Sequence, residues 1–116
     1  MLPKQYRLKK RSAFKATYKV KNSTHSGGVT LFAGRKKTEE IPTKVGFVVS
    51  KKVHKRAVRR NRLKRLMRES YRQLLLENNL YESDKFLSLI FVGGEKALGK
   101  NFDEIKNAVK KTLERL

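Results

Sequence analysis

Between Lys51 and Arg72 the chain sets eleven Lys and Arg side chains against one acid, Glu69, and seven of the eleven are arginines. Exposed helical charge runs ordinarily mix both signs at i and i+4. A block with one sign, dominated by planar guanidinium groups that grip phosphate oxygens in pairs and stack on bases, points to a nucleic acid. Catalytic chemistry finds less support. A two-metal nuclease needs several convergent carboxylates. Here Glu39 and Glu40 fall in a predicted loop, Glu69 stands alone among arginines, and Asp103 and Glu104 suit the start of a helix. His25, in the polar stretch NSTHSGG, and His54, among lysines, have no spacing that aims both at one phosphate, so both read as solvated side chains. No nucleophile motif or phosphate-binding glycine pattern is present. Phe14, Tyr18 and Phe32 could line a groove for stacked bases beside a cationic rim. Spacing alone places Phe14 closer to a core role and leaves Tyr18 and Phe32 open between core and groove.

These residues need elements to hold them. Leu63, Leu66, Met67, Ser70 and Leu74 fall on one side at helical spacing, with Asn61, Arg65, Arg68 and Arg72 opposite, which predicts a basic amphipathic helix over Ala57 to Leu76. Asn101 and Glu104 form a capping box ahead of the stripe Phe102, Ile105, Val109, Leu113 and Leu116, and Lys110, Lys111 and Arg115 favour that helix's last turns. A short N-terminal helix is expected with Ser12 as its cap and Phe14 and Tyr18 one turn apart. Val29 to Ala33 alternates like a strand, Val45 to Ser50 reads as its antiparallel hairpin partner, and Phe86 to Val92 reads as a covered strand ended by Gly93 and Gly94. The expectation is an α+β chain in the order helix, strand, strand, helix, strand, helix, with three strands and room for a fourth.

Composition bounds the rest. With 116 residues, one domain spanning residues 1–116 is expected. The formal charge of +20 is far beyond the magnitude of about 2 to 8 that solubility asks for. Residues 1–38 hold eleven bases and no acid, whereas residues 73–116 balance at seven each. Cysteine is absent, which excludes disulfides and thiol chemistry. The opening MLPKQYRLKK is no signal peptide and no window approaches a membrane span, so a cytoplasmic protein without a membrane partner is expected.

Val49-Ser50-Lys51-Lys52, then Arg56-Ala57, Arg60-Asn61-Arg62-Leu63-Lys64-Arg65 and Arg68-Glu69, together with Arg7-Leu8-Lys9 and Phe14 upstream, closely resemble the bacterial ribonuclease P protein family. The resemblance is strongest over residues 44 to 72 and rests on element order after residue 85. It implies an α/β sandwich in which the basic helix joins parallel neighbouring strands by a left-handed crossover, a hand that pattern reasoning would not choose. It implies that the protein assists removal of the 5′ leader from precursor tRNA while a partner RNA carries the active site and most of the magnesium, with no cofactor intrinsic to the protein and a monomer when free. It assigns contact with the catalytic RNA to Lys51, Lys52, Arg56, Arg60, Asn61, Arg62, Lys64, Arg65 and Arg68, and a leader-binding cleft to Phe14, Tyr18 and Phe32. Gly93 and Gly94 stand where the family often has a basic residue, so no RNA contact is assigned there. Composition alone suits a ribosomal or other structural RNA-binding protein equally well, and a protein-only nuclease is the enzymatic alternative.

Overall fold

The computed structural model describes residues 2–116. The elements follow in the order α1 (Arg11–Val20), β1 (Asn22–Ser26), β2 (Val29–Ala33), β3 (Lys44–Val48), α2 (Ala57–Leu76), β4 (Ser88–Gly93) and α3 (Phe102–Glu114). Helix α2 has the limits its periodicity predicts. Helix α3 begins on its capping box: Asn101 Oδ1 accepts from the Glu104 amide at 2.9 Å, and Glu104 Oε1 accepts from the Asn101 amide at 3.1 Å. Helix α1 starts earlier than expected. Lys10 holds the N-cap position with no side-chain cap, and Ser12 lies exposed inside the first turn. Its entry is fixed by tertiary pairing instead, because Leu8 donates its amide to the Val45 carbonyl at 2.9 Å and Arg7 bridges to Val45, covering the free edge of β3.

The four strands form one mixed sheet in the order β1-β2-β4-β3. The expected antiparallel hairpin of β2 with β3 is not formed: β2 pairs antiparallel with β1 and β4, and β3 pairs only with β4, in parallel. Strand β1 is the fourth strand the expectation left room for, and it comes from the polar stretch NSTHSGG, whose residues predict no element. The tight turn at Gly27 and Gly28, with φ of 57° and 87°, folds it back on β2 and occupies one edge of that strand. The other edge goes to β4, the more apolar strand, and β3 is left beyond it. Gly28 has little alternative, since a Cβ there would stand 2.7 Å from the Ala97 amide nitrogen.

Alternation along the strands gives the sheet two unlike faces. Val29, Leu31 and Ala33 with Leu89 and Phe91 form the inner face, all at 0% exposure, under Leu63, Met67, Tyr71 and Leu74 of α2 and Ile105, Val109 and Leu113 of α3. Tyr71, outside the predicted stripe, belongs to this core, while Leu66, inside it, is only half-buried. The outer face carries α1, with Leu8 of its approach beside Phe14 over Gly46. Phe14 lies so close over Gly46 that a Cβ there would come within 2.6 Å of the ring, and the Thr17 and Ser88 hydroxyls are hydrogen-bonded.

Candidate nucleic-acid interface

Helix α2 is built against its own dipole. The positive end of a helix favours acids. Yet its first turn has none, Arg56 occupies an N-cap with no side-chain cap, and Arg59, Arg60 and Arg62 follow within two turns. Lys51 and Lys52 are exposed in the turn after β3, and Arg56, Asn61 and Arg65 are exposed on α2. Lys64 and Arg68 are half-buried, with the Arg68 guanidinium 6.0 Å from the centre of the Phe47 ring.

The two arginines of the Arg-Asn-Arg motif are more tied down than a helix wheel suggests. Arg60 donates from one nitrogen to the carbonyls of His54 and Lys55, both at 2.8 Å, which fastens the lead-in of α2 onto its first turn. Arg62 is half-buried and donates to the Lys100 carbonyl at 3.1 Å, joining α2 to the approach of α3. Each guanidinium has five donors, so both retain others for phosphate. The Arg62 tether has no local signal in the sequence because its carbonyl is 38 residues away, and the Arg60 one, only five and six residues back, depends on how the lead-in folds against the helix.

The aromatic residues gather on the outer face. Tyr18 and Phe32 meet edge to face with ring centres 4.9 Å apart, and both are half-buried, as is Phe14. Burial pushes the Tyr18 phenol above its ordinary range. Phe14 also lines a small cavity at the β3 edge together with Arg68, so the aromatic set and the arginine helix meet there. Beyond the cover of α1, the strand register places Val48, Val92, Thr30 and His25 side by side across all four strands. None of the four is fully buried. On the far side of Tyr18, Lys15, Lys19 and Arg35 line a groove. Neither set was singled out from the sequence, although Lys15 and Lys19 stand at helical i, i+4 spacing.

Acidic residues do not assemble a metal centre. Glu69 is chelated by Arg72, whose Nε and Nη2 lie 3.1 Å and 3.0 Å from its oxygens, and this pairing holds the carboxyl below the ordinary range. Glu39 and Glu40 are exposed in the loop between β2 and β3. Among the described residues no three His, Cys, Asp or Glu side chains stand close enough together to ligate one ion. His25 and His54 sit on elements at opposite edges of the sheet. The His54 ring accepts from the Arg56 amide at 3.1 Å and His25 Nδ1 lies 2.9 Å from Thr30 Oγ1, so each has a local partner that the solvated reading did not foresee.

Comparison with known proteins gives the same answer as the motif. The family model for ribonuclease P matches residues 2–116. The ribonuclease P protein component of Clostridium kluyveri is 35% identical over 112 residues, covering 95% of this chain and 93% of the relative. That of Synechococcus sp. strain JA-2-3B'a(2-13) is 36% identical over 120 residues, covering 99% and 84%. Among solved structures, the RNase P protein of Staphylococcus aureus superposes with a TM-score of 0.77 at 25% identity, covering 97% of this chain and 95% of that one. The Thermotoga maritima RNase P protein, 24% identical with a TM-score of 0.77 over 95% of this chain and 96% of that one, shares the fold. A family match along the described chain, on a fold that carries the motif on its exposed arginine helix, shows that the chain belongs to the ribonuclease P protein family.

Proposed function

We propose that this chain works as the protein subunit of ribonuclease P, binding the catalytic RNA through α2 and its lead-in and the 5′ leader of precursor tRNA on the outer sheet face. The observation that carries this reading is the placement of the two surfaces. Two residues, Val49 and Ser50, separate Lys51 and Lys52 from β3, whose half-buried Val48 begins the row across the sheet, so an RNA gripped by the arginine helix delivers its substrate onto the face with Tyr18 and Phe32. Lys51, Lys52, Arg56 and Arg65 present charge outward with the half-buried Lys64 and Arg68 beside them, Asn61 adds an exposed amide, and Arg60 and Arg62 add donors that the fold leaves unused. Phe14, Tyr18 and Phe32 supply the stacking edge of the leader cleft. The RNA brings the metal-dependent cleavage chemistry, and the protein supplies phosphate screening that otherwise takes more divalent ion. The free protein is a cytoplasmic monomer. Among the described residues no helix is long and apolar enough to cross a membrane.

Phe32→Ala tests the leader half of this reading. Affinity for leader-bearing precursor tRNA should fall by about 1 to 3 kcal/mol, the scale of one stacked base, while mature tRNA and the catalytic RNA bind as before. Equal losses on both tRNAs would remove the leader from this face. Protein alone should cleave no precursor tRNA, and trace protein should raise cleavage by the catalytic RNA most at low magnesium. Cleavage by protein freed of RNA would restore the protein-only nuclease.

A further inference from the structure

The row Val48, Val92, Thr30 and His25 crosses the outer face beside α1, and its two ends differ in chemistry. The β3 end is apolar and leads into Lys51 and Lys52. The β1 end closes on His25, which is exposed, with Nδ1 fixed 2.9 Å from Thr30 Oγ1. A hydrogen bond at one ring nitrogen sets the orientation of the imidazole and leaves Nε2 directed away from that partner. The row spans three inter-strand steps, about 14 Å at roughly 4.8 Å each. A polynucleotide entering at Lys51 therefore meets His25 only after crossing the sheet.

We propose that His25 is the far anchor of the leader track, donating from Nε2 to a leader phosphate and binding it most tightly when the imidazole is protonated. The inference rests on the reading of this face as the leader surface and adds to it a residue, an atom and a proton. Protonated histidine donates from both nitrogens, so Thr30 Oγ1 accepts from Nδ1 while Nε2 is free for the phosphate oxygen. The charged and titratable groups around His25 do not compete for this role. Arg115 of α3 donates to the His25 carbonyl, Lys100 Nζ donates to the Gly27 carbonyl at 2.8 Å, Lys96 packs against Gly28, and the Tyr18 phenol belongs to the neighbouring Tyr18–Phe32 pair. None of these is a carboxylate. The imidazolium therefore has no anionic partner within this group, and a phosphate is the complementary one.

The test uses the reconstituted holoenzyme and a precursor tRNA with an uncleavable linkage at the scissile position, measured at equilibrium from pH 6 to pH 8. Leader-bearing substrate should bind the wild type about three- to fivefold more tightly at pH 6 than at pH 8, relative to His25→Gln in the same RNA, the scale of one exposed ion pair. His25→Gln should match the wild type at pH 8, His25→Lys should bind tightly throughout the range, and Thr30→Val should shrink the pH-dependent part. A substrate whose leader is cut to one nucleotide cannot cross the row and should abolish the difference between wild type and His25→Gln. Circular dichroism confirms that the variants are folded. A wild-type pH profile in His25→Gln overturns the proposal. If Phe32→Ala still loses leader affinity in that case, the leader surface stands and only the anchor is wrong; if Phe32→Ala is also silent, the leader surface falls with it.

Discussion

Helices α2 and α3 lie on the same inner face of the sheet and follow opposite rules. Helix α3 has its capping box, Asp103 and Glu104 in its first turn and Lys111 in its last, each in the place the helix dipole favours. Helix α2 has no side-chain cap, no acid in its first turn and arginines there instead. Both bury an apolar stripe, so both are held by packing, but only α3 is also stable by its own local chemistry. A helix that concentrates cations at its positive end loses stability in the free protein and regains it when an anion arrives. The contrast marks α2 as the element shaped by a polyanionic partner and α3 as the buttress behind it.

The sharpest way to break this contrast is to give α2 the chemistry of α3. Arg56→Asp supplies the missing cap and should raise the stability of the free protein by about 0.5 to 2 kcal/mol in urea unfolding. It should also weaken binding to the catalytic RNA by at least about tenfold, because a carboxylate is set against phosphate. Stabilisation without loss of RNA affinity would show that the N-terminus of α2 faces solvent in the complex.

A smaller effect separates two arginines on one helix. Arg65→Ala should lower the slope of log affinity against log salt by roughly 0.7 to 0.9, one phosphate contact, and leave unfolding unchanged. Arg62→Ala should lower stability as well, by about 1 kcal/mol, since the Lys100 carbonyl loses its donor. Identical behaviour of the two variants would remove the tether from the account. Asn101→Ala on α3 should cost about 1 kcal/mol in stability and nothing in RNA affinity, the converse of Arg65→Ala.

The smallest effect concerns Glu69, the lone acid of the arginine block. Its carboxyl is held below the ordinary range chiefly by the hydrogen bond from Arg72, so the pair stabilises the fold above the unfolded value near 4.3 and loses that contribution as the pH falls through the folded one. The pair is partly exposed, and Glu69→Gln should therefore change neutral-pH stability by no more than about 0.5 kcal/mol, with a flatter acid limb in urea titrations. Cleavage by the holoenzyme should stay within about tenfold of the wild type, because Glu69 is paired with Arg72 and joins no cluster of three possible metal ligands among the described residues.

What the sequence disclosed follows from how local each signal is. The limits of α2 and the capping box of α3 are written in residues within one turn of each other, and both elements were read correctly. Strand β1 escaped because NSTHS has no apolar alternation: an edge strand that pairs with β2 alone has little core side to advertise. The pairing of β2 with β4 escaped because strand order is settled by which apolar surfaces meet across the chain, not by the loop between sequence neighbours. Ser12 looked like a cap, but the pairing of Leu8 with Val45 fixes where α1 begins. At the site, the arginine face was legible as charge at helical spacing. The meeting of Tyr18 with Phe32 was legible only as an open alternative, a shared groove or separate core positions, since it depends on α1 lying across the outer face, and the family resemblance is what favours the groove.

The placement of β4 has a consequence for how the molecule is made. It is the last strand in the chain and the one bonded to both β2 and β3, so a nascent chain that has reached only Val48 owns a two-stranded hairpin and an unpartnered third strand. A hairpin of that size is at best marginal in water. Until residues beyond Gly93 have left the ribosome, the two basic blocks belong to an unfolded polycation, free to engage any RNA nearby. Folding is therefore expected late, with the closing of β4 between its neighbours, and an isolated N-terminal half should show no cooperative transition in urea.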